Sequence, residues 1–424
     1  MGVEGLWDFI SKKYPRCLGL VPRKSFKGYA VSIDANGFLY RYYAVSFKQQ
    51  VYKTDIMSDE LDYDEIFTSW KKKVMDETIN LVSTGIMPVF VFDGDKLESK
   101  MEKLQERKEK KDKIRLKLEE LMATKPTDVL RTDDTVRSKA RSVMCHLCSI
   151  PPGFMDAMKG FLSGIGVPVV TGSGDGERLA AALCRTDMTA ATMSEDGDCL
   201  AHLSPYLIRC NGPRMISPSS GCEVDTFQIV DLDILLEDMK MSRSMFQEFC
   251  ILCGTDYNSR IPKVGPVTAY KLILEYQRID NIDWVAKGKD PSCLRLESTR
   301  ELFAIRPVSD LIIDGSLSVS DWCDSIGEHL SMYQMDLYIE QWKYLMTNKE
   351  PTLGFIHRFD KSLGNIQLYR QPGEYNYLED VVTKSQANLG DKNVLNKHKT
   401  LMTKFEGTEA AQQLKSVSLN IVSY

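Results

Sequence analysis

The sequence predicts an α/β protein with a mostly parallel central sheet flanked by helices. Three observations predict it. First, four short apolar runs read as strands, and each is closely followed by acid: "YAVSID", "MPVFVFDGD", "VPVVTGSGDGE" and "TAATMSEDGD". Second, helical patterns fill the gaps at about 64–84, 153–164 and 177–185, and strands alternating with helices argue for parallel pairing. Third, the chain is 43% hydrophobic and 27% charged over 424 residues, which suits a globular protein of two or three lobes.

Taken in order, the first strand ends at Asp34 and the second reaches Asp93. The third reaches Asp175 and Glu177, and the fourth Asp196 and Asp198. Turns favour aspartate, so one or two such acids would mean little. Four acidic strand ends mean more, because ligands of parallel sheets bind outside the carboxyl ends of the strands. The tightest knot is "SEDGD", where Glu195, Asp196 and Asp198 crowd four positions. Ionised carboxylates this close are costly unless paired or bound to metal, and no matching arginines lie beside them in sequence. Hard divalent cations take oxygen ligands, and two of them ~3.5–4 Å apart can clamp an in-line phosphoryl displacement. No Walker A pattern and no EF-hand loop is present, which argues against a nucleotide-driven motor and calcium storage.

Composition closes other classes. The net charge of −5 gives no global sign of nucleic acid, so such a signal must be local. No apolar run approaches the ~20 residues that span a bilayer. The opening "MGVEGLWDFISKKYP" lacks a long apolar run and does not read as a signal peptide. Eleven cysteines in apolar settings indicate a reducing, intracellular compartment without a disulfide framework. The pairs Cys145/Cys148 and Cys250/Cys253 read as ordinary thiols, with structural zinc as the alternative.

The local charge signal is "KLESKMEKLQERKEKKDKIRLKLEE", residues 96–120. On a helical wheel Lys100, Lys103, Arg107, Lys110, Lys111, Arg115 and Lys117 share one side, and Glu98, Glu102, Glu109, Asp112, Glu119 and Glu120 the other. A solvated salt-bridge helix mixes its signs more evenly. The segregation suggests a phosphate-tracking helix beside the acids. An exposed arm is the plainer alternative.

These residues resemble the flap endonuclease/XPG family of structure-specific 5′ nucleases. "MGVEGLWDFI" is similar to its amino-terminal motif, "VSIDANGFLY" to its first acidic motif, and "VFVFDGDKLESKMEKLQER" to its second with a basic helix. "GDGERLAA" and "SEDGDCL" resemble its third and fourth, and "LCGTDYNSRIPKVGPVTAYKLI" the start of a helix-two-turn-helix. The resemblance covers about 1–280 by motif. It implies a PIN-like 5′ nuclease fold with a helical arch and a helix-two-turn-helix DNA-binding element. It also implies metal-linked carboxylates at Asp34, Asp93, Asp175, Glu177, Asp196, Asp198 and Asp256, holding two Mg2+ ions for which Mn2+ substitutes. Lys100 and Arg107 are implied to reach the scissile phosphate; seven residues apart, they share a helix face. Lys103, Lys110 and Lys111 would meet DNA. Tyr40 matches a base-stacking aromatic, or is a core tyrosine. Gly2 would lie near DNA, or serve a tight turn.

Two departures stand out. Asp175 occupies a position that is usually glutamate, one methylene longer. Lys263 replaces a usual glycine of the turn that cradles K+ against duplex, where Gly265 remains; the lysine supplies the charge itself or disturbs the loop. The 82 positions from Asp93 to Asp175 allow an arch and cap. The expected organisation is a nuclease region at 1–95, arch and cap at 96–150, and a second nuclease region at 151–345, with the helix-two-turn-helix near 245–280. An extension of unknown role follows at 346–424. No sliding-clamp box or basic tail is evident, which fits a divergent eukaryotic or viral member. The expected partner is branched double-stranded DNA with a 5′ flap or junction, bound by a monomer, in the nucleus or at a viral replication site, with no membrane. The alternatives are a 5′ exonuclease or Holliday junction resolvase of the same family. From other classes come a non-catalytic DNA-binding scaffold and a PIN-like ribonuclease.

Overall fold

The structure is a computed structural model. The structure describes residues 2–313 except 27–28, 55–59, 85, 96–99, 124–133, 165–166, 211–214 and 217–222. The carboxyl-terminal extension expected at 346–424, and the end of the region expected at 151–345, lie outside the described residues.

The strands are β1 (Leu18–Pro22), β2 (Ala30–Asp34), β3 (Met87–Phe92), β4 (Val169–Thr171), β5 (Ala191–Met193), β6 (Tyr206–Arg209), β7 (Met215–Ile216), β8 (Glu223–Val224) and β9 (Thr226–Asp231). Seven of them form one sheet in the order β1-β9-β6-β5-β2-β3-β4, while β7 and β8 pair separately. The run from β6 to β4 is parallel throughout. The edge formed by β9 and β1 is antiparallel, a detail the acidic strand pattern does not reach.

The α-helices are α1 (Leu6–Lys13), α2 (Ala35–Lys53), α3 (Tyr63–Ser83), α4 (Met101–Ala123), α5 (Asp134–Cys145), α6 (Phe154–Gly164), α7 (Gly176–Arg185), α8 (Asp198–Ala201), α9 (Leu232–Met239), α10 (Arg243–Cys253), α11 (Pro266–Tyr276) and α12 (Leu296–Phe303). The expected helices at 64–84, 153–164 and 177–185 therefore appear within a residue or so of their bounds. None of the described helices is long and apolar enough to cross a membrane.

Strand alternation divides the core. Val31, Ile33, Phe90 and Phe92 face α2 and α3, where Phe38, Tyr43 and Trp70 are buried. Ala30, Val89 and Val91 face α7, against Leu179, Ala180 and Leu183. Both faces of the central strands are covered, as parallel sheets require. Trp70 is fully buried and its indole N–H donates to the Leu39 carbonyl at 2.9 Å, which pins α3 to α2. Burying such a side chain stabilises the fold by about 1.5–3 kcal/mol. A third layer packs α1, α10 and α11 around Phe9, Phe246, Phe249 and Tyr257.

Parallel register then aligns the strand ends. Asp34 sits opposite Val91, Ile33 opposite Met193, and Val91 opposite Val170. The chain leaves β2, β3, β4 and β5 at one edge, so the acids that follow each strand meet there. The helix α4 follows β3 and packs on α5. Its outer face is exposed, Leu116 included at 58%.

Candidate active site

Each acid is placed by the element it ends or begins. Asp34 is the N-cap of α2 and accepts from the Gly37 amide at 3.2 Å. Its other oxygen accepts from the Ser194 hydroxyl at 3.0 Å. The same hydroxyl lies 3.3 Å from Glu177 Oε1 and accepts from the Asp196 amide at 3.0 Å. Ser194 thus links three acidic segments with one proton to share. Asp93 accepts from the Gly176 amide at 2.7 Å and from the Asn36 side chain. Asp34, Asp175, Glu177 and Asp198 are buried.

The electrostatics follow from this crowding. Burial, and then the charge of Asp93, push the Asp34 carboxyl up to about 7. Burial followed by Asp196 and Asp34 raises Glu177 well above the usual range. Burial followed by Asp196 and Asp256 does the same to Asp198. Asp93 is exposed; desolvation and Asp175 still raise it, against the pull of its hydrogen bonds. Asp196 is raised mainly by desolvation.

Counter-charge comes from the arch, which sequence proximity does not show. Lys100 Nζ lies 2.7 Å from Asp175 Oδ1, and burial opposes its charge. Asp175, Glu177 and Asp93 nevertheless hold its pKa above the usual lysine range. Arg107 Nη2 donates to both carboxylate oxygens of Asp256, at 2.8 and 2.9 Å. Lys103 pairs with Glu4 at 3.2 Å, and Lys111 donates to the Cys148 carbonyl at 2.8 Å. Lys110 is exposed, and Arg115 pairs with Asp112 on its own helix. The basic face therefore divides: its first turns reach the acids and the amino-terminal segment, and its far end meets solvent.

Glu195 corrects the sequence picture. It is not part of the crowd, because Arg41 at 3.2 Å and Arg209 at 2.7 Å hold its carboxylate between them. Those cations come from α2 and β6, so the pairing is long-range. The cluster in "SEDGD" is two acids rather than three.

Gly2 has a steric role. It takes a left-handed φ of 79°, and a Cβ there would stand 1.7 Å from Asp196 Oδ1. Only glycine lets the amino-terminal segment lie against that acid. Tyr40 is 38% exposed and its hydroxyl donates to the Cys148 carbonyl at 3.4 Å, the same carbonyl that Lys111 meets. It is therefore a rim residue rather than a core tyrosine. The buried thiols of Cys250 and Cys253 lie on α10, and burial raises both.

The helix pair expected at 245–280 is α10 and α11. Gly265 is the N-cap of α11 with Pro266 at its first position, and open space faces it. Lys263 is exposed and takes a φ of 64°. The turn thus keeps a glycine-like backbone under a lysine. A left-handed non-glycine residue costs about 1–2 kcal/mol, and glycine gives part of that back as lost chain entropy. Lys263→Gly is accordingly expected to raise stability by about 0.5–1 kcal/mol in denaturant unfolding.

Two side chains escaped the sequence reading. Ser194 sits inside the acidic motif, but a hydroxyl carries no signal beside three acids. Tyr257 donates to Asp175 Oδ2, and its ring lies 5.3 Å from Lys100 Nζ.

The donor chemistry fits hard divalent cations: every candidate ligand is a carboxylate oxygen. Both oxygens of Asp198 are buried without a hydrogen-bond partner, and a buried charge so placed demands a cationic partner. Among the described residues no group of three acidic, histidine or cysteine side chains forms a ready metal cage. Lys100 and Arg107 instead provide counter-charge to Asp175 and Asp256.

Comparison with known proteins agrees with this layout. Residues 1–114 match the XPG N-terminal domain, and residues 166–256 match the XPG I-region. Flap endonuclease 1 of Cryptosporidium muris is 30% identical over 308 residues, 72% of this chain and 62% of that protein. The chain thus spans less than two thirds of that relative. Flap endonuclease 1 of Tetrahymena thermophila is 28% identical over 282 residues, 66% of this chain and 68% of that protein. A solved flap endonuclease-1 from Methanococcus jannaschii aligns at 22% identity with a TM-score of 0.45, over 78% of this chain and 97% of that one. Two XPG-family domains, the N-terminal domain and the I-region, thus carry between them the acids that meet at one sheet edge.

Proposed function

We propose that the chain is a divalent-metal-dependent, structure-specific 5′ nuclease that hydrolyses phosphodiester bonds near the single-strand/double-strand junction of branched DNA. The observation that carries this is the convergence of acids from separate strand ends at one edge, with Lys100 and Arg107 of the arch reaching into it. A scaffold without activity would have no need to hold Asp34, Glu177 and Asp198 buried and mutually repelling.

In this reading Asp34, Asp93, Asp175, Glu177, Asp196, Asp198 and Asp256 hold two Mg2+ ions, with Mn2+ as substitute. Bound there, the ions supply an activated water and stabilise the leaving oxygen. The chain's own residues do the rest. Ser194 orients the carboxylates of Asp34 and Glu177. Lys100 and Arg107 exchange Asp175 and Asp256 for the scissile phosphate and stabilise the charge that develops on it. Lys103, Lys110 and Lys111 follow the backbone, which positions DNA without reading its sequence. Tyr40, at the rim with an exposed ring, stacks on a base. The turn carrying Lys263 and Gly265 at the start of α11 meets duplex phosphate, with the lysine ammonium, or K+, as the local charge.

A cleavage panel tests this. The full chain with Mg2+ is expected to cut 5′-flap DNA fastest, with nicked, gapped and Holliday junction substrates cut more slowly and single-stranded RNA left intact. Preference for a junction or a recessed 5′ end would assign the resolvase or exonuclease activity instead. Cleavage of RNA alone would overturn the proposal.

A further inference from the structure

We propose that Tyr257 is a positioning residue for this site: its phenol draws Asp175 away from its own helix and holds it, together with Lys100, toward the acid cluster. The inference rests on the metal-dependent reading above and adds a residue to it. Among the described residues, three N-cap aspartates turn back on their helices. Asp34 accepts from Gly37, Asp62 from Asp64 and Glu65, and Asp231 from Ile234. That is the ordinary behaviour of an N-cap aspartate. Asp175 is the N-cap of α7 and makes no such bond. Its Oδ2 accepts from the Tyr257 hydroxyl and its Oδ1 meets Lys100 at 2.7 Å. An aspartate has one methylene of reach, so it can cap α7 or face the cluster, and Tyr257 decides for the cluster.

Tyr257 is built as a fixed post. It is 2% exposed, and its ring packs edge-on against Phe303 at 5.4 Å. His202 Nε2 lies 3.3 Å from the phenol oxygen. Because the phenol gives its proton to Asp175, the His202 contact is satisfied by the tautomer that carries Nε2–H and donates to the phenol oxygen. The same ring lies under Lys100 Nζ. One side chain thus orients an acid from the strand edge and the first cation of the arch.

The test titrates Mn2+ into the full-length protein without DNA, followed by electron paramagnetic resonance of the free ion. Tyr257→Phe removes only the hydroxyl and is expected to weaken Mn2+ binding by roughly 10-fold, the scale of losing a group that orients a ligand. Asp175→Glu in the Tyr257→Phe background is expected to regain most of that loss. Glutamate is a poorer N-cap and reaches one methylene further, so it needs no tether. A general packing defect at Tyr257 would not be repaired by one methylene at Asp175. Parent-like Mn2+ binding by Tyr257→Phe, or no recovery in the double variant, overturns the proposal. A parent that binds no Mn2+ overturns the metal-dependent reading itself, a separate result.

Discussion

Lys100→Ala and Arg107→Ala are each expected to slow single-turnover cleavage of a branched duplex by roughly 10²–10³-fold, the scale of losing one preorganised charge donor. Both side chains already reach the acids across the cleft, at 2.7 Å and 2.8 Å. A phosphate entering the cluster would therefore meet them without rearrangement of the helix. Affinity for the same DNA should change little, because the other arch lysines and the α10–α11 turn remain. Lys117→Ala, at the exposed end of α4, should cleave like the parent. Single-turnover rates under saturating enzyme separate the chemical step from binding and release. Equal, modest losses of affinity in all three variants would show a phosphate track without a catalytic role. The two catalytic-face variants should also differ from each other without metal. Lys100 compensates several buried acids, whereas Arg107 is half-exposed and pairs with one, so only Lys100→Ala should clearly lower the melting temperature.

Asp198→Asn is expected to abolish cleavage, leave DNA binding largely intact and make the metal-free protein more stable than the parent above the acid range, because it removes one repelled buried charge. Both oxygens of Asp198 lack hydrogen bonds, and Asp196 and Asp256 repel its charge. The pH dependence has a definite sign. Asp34, Glu177 and Asp198 all have folded pKa values raised above their unfolded ones. Their contribution is fully present below the unfolded range near ~4 and is lost as pH rises through the folded values. Metal-free stability should therefore fall between about pH 4 and pH 7, where Asp34 titrates. Asp198→Asn should flatten that fall, and added Mg2+ should oppose it. Melting curves in chelator across this range check the claim. Stability that rises through the window, or a variant less stable than the parent at pH 7, would contradict it.

Much of this architecture is legible in the sequence for simple reasons. A strand followed by acid, repeated four times, places the acids once the strands are parallel. The basic face of 96–120 is a matter of helical period. What the sequence hides is long-range or rotational. Nothing near "SEDGD" announces that Arg41 and Arg209 will draw Glu195 out of the cluster. The antiparallel pairing of β1 with β9 joins segments some 200 residues apart, and no local pattern records it. Gly2 reads as a turn or a DNA contact, whereas the structure gives it a third reason, room for Asp196. The substitution at Lys263 is visible in sequence, but that the backbone keeps its left-handed form is not. Whether Asp175 caps its helix or faces the acids depends on a tyrosine 82 positions away.

The most direct test of the central claim is the position of the cut. A 5′-flap duplex, labelled at its 5′ end and incubated with the full chain and Mg2+, is resolved to single nucleotides. One dominant product ending within a nucleotide or two of the junction is expected, absent in chelator and absent with Asp198→Asn. Cleavage spread along the strand without regard to the junction, or cleavage that survives chelation, would contradict the central claim.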